Sequence, residues 1–216
     1  MKKTTLSVLF AVSVLTLASC TSGQSGSPAS PSSRTSTVSK EIESPVIGAK
    51  DAKVVVKIFS DYQCPACQRF HSLIEGKLRT EYADTGKLAI EYKNYPLPQH
   101  QNAEGDGLAA MCALPQGKFL EFSDKMYVLE GAKMNADVTD AERVEVAKFA
   151  GVPNLAEFET CLKEGWYLDR IAKDMKDGDR LGLDHTPSIY VNDKIVDFKS
   201  VEEFFAIIDA SLAAAK

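Results

Sequence analysis

A chain of 216 residues in which 44% of the side chains are hydrophobic has ample material for the core of one domain, with segments to spare. Its 25 basic residues face 30 acidic ones, a formal charge of −5, and an acidic balance argues against nucleic acid as a partner. The five cysteines are an odd number, so at least one stands outside any set of intramolecular pairs.

The N-terminus accounts for part of the surplus. Lys2 and Lys3 precede an apolar run from Leu6 to Leu17, too short for a stable membrane span but suited to a secretory signal. The run ends in Leu17-Ala18-Ser19-Cys20, which resembles the lipobox of bacterial lipoproteins, where cleavage precedes the cysteine and that residue carries the lipid. The resemblance implies a signal peptide over 1–19 and a lipid on Cys20, placing the mature chain outside the cytoplasm, on the periplasmic or cell-surface side of a bacterial membrane. An ordinary signal peptide with a chance cysteine is the alternative. With Cys20 set aside, four cysteines remain, enough for two pairs in an oxidising compartment. Loss of Lys2 and Lys3 leaves 23 basic against 30 acidic residues, a formal −7. From Thr21 to about Ser39 the chain is nearly all Ser, Thr, Gly, Pro and Ala and cannot bury enough surface to order itself. Residues 20–41 therefore read as a lipidated cysteine plus a tether, with an r.m.s. reach on the order of 25 Å.

The folded domain is expected over 42–216. It opens with a short extended segment at Pro45-Val46-Ile47, followed by a β-branched strand over Val54–Phe59. Gln68 to Tyr82 then has apolar residues at helical spacing, Phe70, Leu73, Ile74 and Leu78. At the junction lies Cys64-Pro65-Ala66-Cys67. Pro65 suits the first helical position, where its fixed φ is already helical and its missing N–H is not needed, which makes Cys64 the N-cap. Free backbone N–H groups and the positive end of the helix dipole then favour a thiolate on Cys64. Cys64 is the candidate nucleophile, and Cys67, one turn further in, the thiol that resolves a mixed disulfide on Cys64. A C-x-x-C pair can also be half of a zinc site, but Cys112 and Cys161 stand alone and far apart, so no metal site is expected. An inert local disulfide is the other alternative.

A strand at Leu88–Tyr92 completes a βαβ unit. Residues of about 101–181 read as helical throughout, with Thr139-x-x-Glu142 and Asn154-x-x-Glu157 as starts and Gly151 and Gly165 as stops. Phe119, Phe122, Met126, Phe149, Phe158 and Trp166 are expected in the core of this insertion. A hairpin follows, Ser188–Val191 and Ile195–Phe198 about an Asn192-Asp193 turn, and Ser200-x-x-Glu203 opens a last helix.

A βαβ unit, a helical insertion and a ββα unit resemble the thioredoxin fold as elaborated in the DsbA-like family of secreted thiol-disulfide oxidoreductases. Three stretches carry the resemblance, Phe59 to Cys67, Gly117-Lys118-Phe119, and Gly182 to Ser188 with its His185-Thr186-Pro187. It implies an α/β fold with a large helical insertion, and a cis Pro187 lying against the active-site disulfide. It also implies that the backbone of Thr186 is offered to a substrate strand, and that Cys112 and Cys161 form a structural disulfide rather than two buried thiols. His71 lies one helical turn beyond Cys67 on the same face, and His185 two residues before Pro187, so both are candidates to tune the thiols, although a loop histidine is more often solvated than catalytic. The chain departs from the family pattern twice, with Ala66 where strong oxidants often have histidine and Ile58 where many members have glutamate.

The expected activity is therefore the oxidation of exported proteins with cysteines, with a membrane or soluble redox partner to reoxidise the pair and no cofactor. The alternatives are a membrane-tethered reductase or isomerase, and a non-enzymatic binding lipoprotein whose disulfides are only structural.

Overall fold

The structure, a computed structural model, describes residues 38–134 and 136–215; Cys20, the signal sequence and nearly all of the tether lie outside them. Five strands form one sheet in the order β1-β3-β2-β4-β5. They are β1 (Val46–Gly48), β2 (Val55–Ser60), β3 (Ala89–Asn94), β4 (Ser188–Val191) and β5 (Lys194–Ile195). The central β2 runs parallel to β3, with Ile58 opposite Tyr92, and antiparallel to β4, with Ile58 opposite Ile189. A strand flanked on both sides must be apolar, and Val56, Ile58 and Phe59 are at most 1% exposed. Lys57 points outward and pairs with Asp193 at 2.6 Å.

The crossover from β2 to β3 begins with α1 (Pro65–Phe70) and widens into two π-type turns, His71–Glu75 and Leu78–Ala83. Phe70, Ile74 and Leu78 are buried as their spacing predicts, in a cluster shared with Val54, Ile90, Ile189 and Phe204. Leu73 differs: it is 58% exposed and borders an open groove.

The insertion holds α2 (Ala103–Ala113), a short 3-10 turn, α3 (Phe119–Lys133), α4 (Asp140–Phe149), α5 (Leu155–Glu164) and α6 (Leu168–Arg180). Its starts follow the sequence signals. Thr139 and Glu142 form a reciprocal capping box, and the Asn154 side chain accepts from Glu157 N–H. Gly165 ends α5 in the left-handed conformation that glycine adopts without strain. Phe119, Phe122, Met126 and Phe158 fill the core of the insertion. Phe149 does not: it is 72% exposed, because the buried stripe of α4 runs through Arg143, Val146 and Ala147 and Phe149 lies off it. Trp166 is only partly buried, and its ring receives Lys40 Nζ at 3.0 Å, where the chain enters the domain.

The hairpin is shorter than its apolar pattern suggests. Its second strand stops at Ile195, and Phe198 packs on Phe204 at 5.0 Å between ring centroids instead of extending the sheet. Asn192 and Asp193 both take positive φ, the turn conformation that Asn and Asp tolerate. Ser200 caps α7 (Val201–Ala214) by accepting from Glu203 N–H.

The sulfurs of Cys112 on α2 and Cys161 on α5 are joined, with Cα atoms 5.9 Å apart and a separation of 49 positions in sequence. Closing a loop of that length restricts the unfolded chain by about 4 kcal/mol in the loop-entropy account. Replacing both residues by alanine is therefore expected to lower the unfolding free energy by about that amount, measured by urea denaturation against the parent chain; a loss below about 1 kcal/mol would show that the unfolded chain is already compact there.

Candidate active site

The junction between β2 and α1 is held from three directions. The carboxylate of Asp61, 2% exposed, accepts from Gln63 N–H at 2.8 Å, from Leu97 N–H at 2.9 Å and from His100 Nδ1 at 2.7 Å. Burial pushes its pKa up, and these hydrogen bonds work against that. Gln63 Oε1 accepts from Asn102 N–H at 2.9 Å, and Gln68 Nε2 donates to the Tyr62 carbonyl at 3.1 Å. Tyr62 OH and Ser123 Oγ on α3 are 2.7 Å apart. Loop, β3–α2 connection and α3 thus lock together beneath the cysteines. Asp61, Gln63 and His100 were not legible as site residues; a polar Asp-Tyr-Gln triplet between an apolar strand and a C-x-x-C is the sequence signal that marks them.

Cys64 is the N-cap residue of α1, with extended backbone (φ −70°, ψ 121°), and Pro65 occupies the first turn. Both thiols are free and buried. Cys64 Sγ is 3.3 Å from the Thr186 carbonyl oxygen. Its pKa is lowered from about 9 to about 5, chiefly by the hydrogen bond from Cys67, with help from the backbone N–H groups of Cys67 and Ala66; burial opposes the shift. Cys67, 1% exposed, is displaced the other way, well above the ordinary thiol value, by burial first and then by its neighbour Cys64. Two chemically identical residues are thereby separated into a nucleophile and a shielded thiol.

The Thr186–Pro187 peptide bond is cis, and Thr186 is 5% exposed. A groove of about 560 Å³ runs from this loop along α1, between Pro65, Ala66, Leu73, Ile74, Pro187 and Phe198. Pro65 and Ala66 are exposed at its rim, so the outer end of the motif is open to a partner. His185 lies on the surface and pairs with Asp184 at 2.8 Å. His71 turns inward, stacked on Tyr127 with centroids 4.4 Å apart. Ile58 brings no carboxylate to the sulfurs from β2. Among the described residues no cluster of His, Cys, Asp and Glu is placed to hold a metal ion.

This geometry agrees with what related proteins show. A family model described as thioredoxin matches residues 40–210. The chain belongs to the thioredoxin family. Disulfide bond formation protein D of Bacillus subtilis is 27% identical over 174 residues, which cover 78% of this chain and 77% of that protein. The crystal structure of oxidised BdbD from Bacillus subtilis superposes with a TM-score of 0.71 at 25% identity, over 83% of this chain and 100% of that one. Oxidised DsbA of Mycobacterium tuberculosis, at 20% identity, shares the fold with a TM-score of 0.62 over 83% of this chain and 98% of that one. The chain is a DsbA-like thiol-disulfide oxidoreductase with a helical insertion in the thioredoxin fold.

Because Cys64 ionises more readily folded than unfolded, the thiolate adds stability to the reduced protein. That contribution is whole above about pH 9 and is lost as pH falls towards about 5. Alkylation of Cys64 by iodoacetamide is expected to show a midpoint near pH 5. In Cys67→Ala the midpoint should rise, since the largest stabilising partner is gone. The melting temperature of the reduced chain relative to Cys64→Ala should fall across the same window, and a flat difference would contradict the assignment.

Proposed function

We infer that this protein gives the Cys64–Cys67 disulfide to exported proteins with cysteines, at the outer face of a bacterial membrane to which a lipid on Cys20 holds it. The observation that carries the reading is the opposed displacement of the two thiols, one towards thiolate and one towards thiol. A substrate thiolate attacks Cys64 Sγ of the disulfide, the bond between substrate sulfur and Cys64 forms, and Cys67 leaves with the electron pair and takes a proton. A second substrate thiolate then attacks the substrate sulfur of that mixed disulfide, and Cys64 leaves as a thiolate. The substrate is oxidised by two electrons and the Cys64–Cys67 pair reduced by two. A membrane or soluble electron acceptor restores the disulfide.

The direction follows from the leaving group: a Cys64 thiolate favoured at neutral pH stabilises the reduced protein, which makes the disulfide form an oxidant. The Thr186 backbone and the groove beside Pro187 supply an edge and an apolar floor for an extended substrate segment. The relatives' printed role in disulfide bond formation points the same way. No helix among the described residues is long and apolar enough to cross a membrane, so attachment in this reading rests on Cys20, outside them. The second reading, a tethered reductase or isomerase, is favoured by Ala66: no charged side chain stands between the cysteines to stabilise the thiolate further.

The reduction potential in glutathione buffers separates the two. A value between roughly −120 and −180 mV is expected, and one near −270 mV would replace donation by the reductase reading. Cys67→Ala should accumulate a mixed disulfide through Cys64 with a dithiol peptide, seen as a mass shift, whereas Cys64→Ala should form none.

A further inference from the structure

The groove beside the cis proline has two walls of different origin. On one side Pro65, Arg69 and Leu73 follow one another at four-residue spacing along α1 and the turn after it, which sets them in one row on the helix surface. On the other side Phe198 and Lys199 lead into the first turn of α7. Each wall carries one cation in an otherwise mostly apolar lining. Arg69 and Lys199 are exposed, and neither side chain meets a carboxylate among the described residues.

No acidic residue lines this groove. Glu203, close by in sequence, is turned onto the start of α7, where its Oε2 accepts from Lys199 N–H at 2.7 Å. Other grooves of the described residues mix the two signs, one with Glu91 and Asp177 beside its bases, another with Glu41, Glu43 and Asp169. In a chain of 30 acidic and 25 basic residues, a groove whose charges are all positive is opposite in sign to the molecule that carries it.

The spacing of the charge from the reacting sulfur sets a register. Arg69 is five residues beyond Cys64, about 7.5 Å along a helix that rises about 1.5 Å per residue. An extended segment covers that distance in about two residues of 3.3 Å each. Side chains two apart on a strand point the same way, so the second residue from a substrate cysteine faces the groove on the side of the bonded sulfur.

We propose that Arg69 and Lys199 make this oxidoreductase selective for cysteine segments that carry Asp or Glu at the second residue from the reacting cysteine. The inference rests on the reading of Cys64 as the sulfur that joins the substrate. A segment lying between the two walls displaces water from around the cations, which strengthens their attraction for a carboxylate. The net charge of the chain alone would favour the reverse, a basic segment.

The test uses the full chain with Cys20→Ser and Cys67→Ala, so that Cys64 is the one reactive thiol, equilibrated with mercaptoethanol and its disulfide. Three single-cysteine peptides are added, alike except that the second residue on either side of the cysteine is Glu, Gln or Lys. Each peptide joined to Cys64 is measured by mass against its own disulfide with mercaptoethanol, a neutral reference that cancels the peptide's own thiol chemistry. At low salt the Glu peptide is expected to exceed the Lys peptide by about 5-fold, within what two exposed ion pairs contribute. The excess should shrink towards unity in about 0.5 M salt, where charges are screened within a few Å. Arg69→Gln combined with Lys199→Gln should abolish it. Equal occupancy or a Lys preference in the parent overturns the selection, as does a Glu preference that survives in the double variant. With Glu moved to the residues adjacent to the cysteine the preference should be lost, and an undiminished one overturns the register. Absence of every mixed disulfide on Cys64 would instead overturn the underlying reading, and the selection with it.

Discussion

Everything in this molecule depends on keeping two sulfurs one helical turn apart in unlike surroundings. Cys64 caps a helix and receives hydrogen bonds from Cys67 and from two backbone N–H groups, whereas Cys67 is enclosed. A thiolate is large, soft and weakly solvated, so a few oriented donors are enough to hold it. The same burial applied to a sulfur without those donors holds the proton instead. The division of labour between the two cysteines is a consequence of where each lies in the first turn of α1, not of any difference in the residues themselves.

Holding that turn in place is the work of the elements around it. β2 delivers the chain to the site, and its pairing with β3 and β4 fixes its height. The buried Asp61 then ties the loop to Leu97 and His100 across the β3–α2 connection. A carboxylate with several donors in low dielectric stiffens a loop in a way that solvated groups cannot. From the same side α3 contributes Ser123 and Tyr127, so the helical insertion is part of the active site. The link between Cys112 and Cys161 joins α2 to α5 and keeps the insertion from opening.

The two departures from the family pattern, Ala66 and Ile58, both remove polarity from the neighbourhood of the sulfurs. With Ala66 the thiolate relies on the Cys67 thiol and on backbone donors. With Ile58 the central strand is apolar at the position where many members of the family have a carboxylate.

Local order was legible in the sequence because it is written in local chemistry. The C-x-x-C after a β-branched strand, proline at the first helical position, the capping box at Thr139 and the Ser200 cap each act within a few residues, so spacing alone determined them. The resemblance extended this to the topology and to Pro187. Tertiary structure alone decided the rest, because it depends on which surfaces meet. Phe149 looked like core and is exposed; Leu73 matched the helical stripe and borders a groove; Ile195–Phe198 alternated like a strand and ends early, where Phe198 finds α7. Asp61, His100 and Glu75 looked like ordinary polar residues, and only the fold, by removing them from water and placing Asp61 against His100 and Glu75 against His71, made them buried hydrogen-bonding partners.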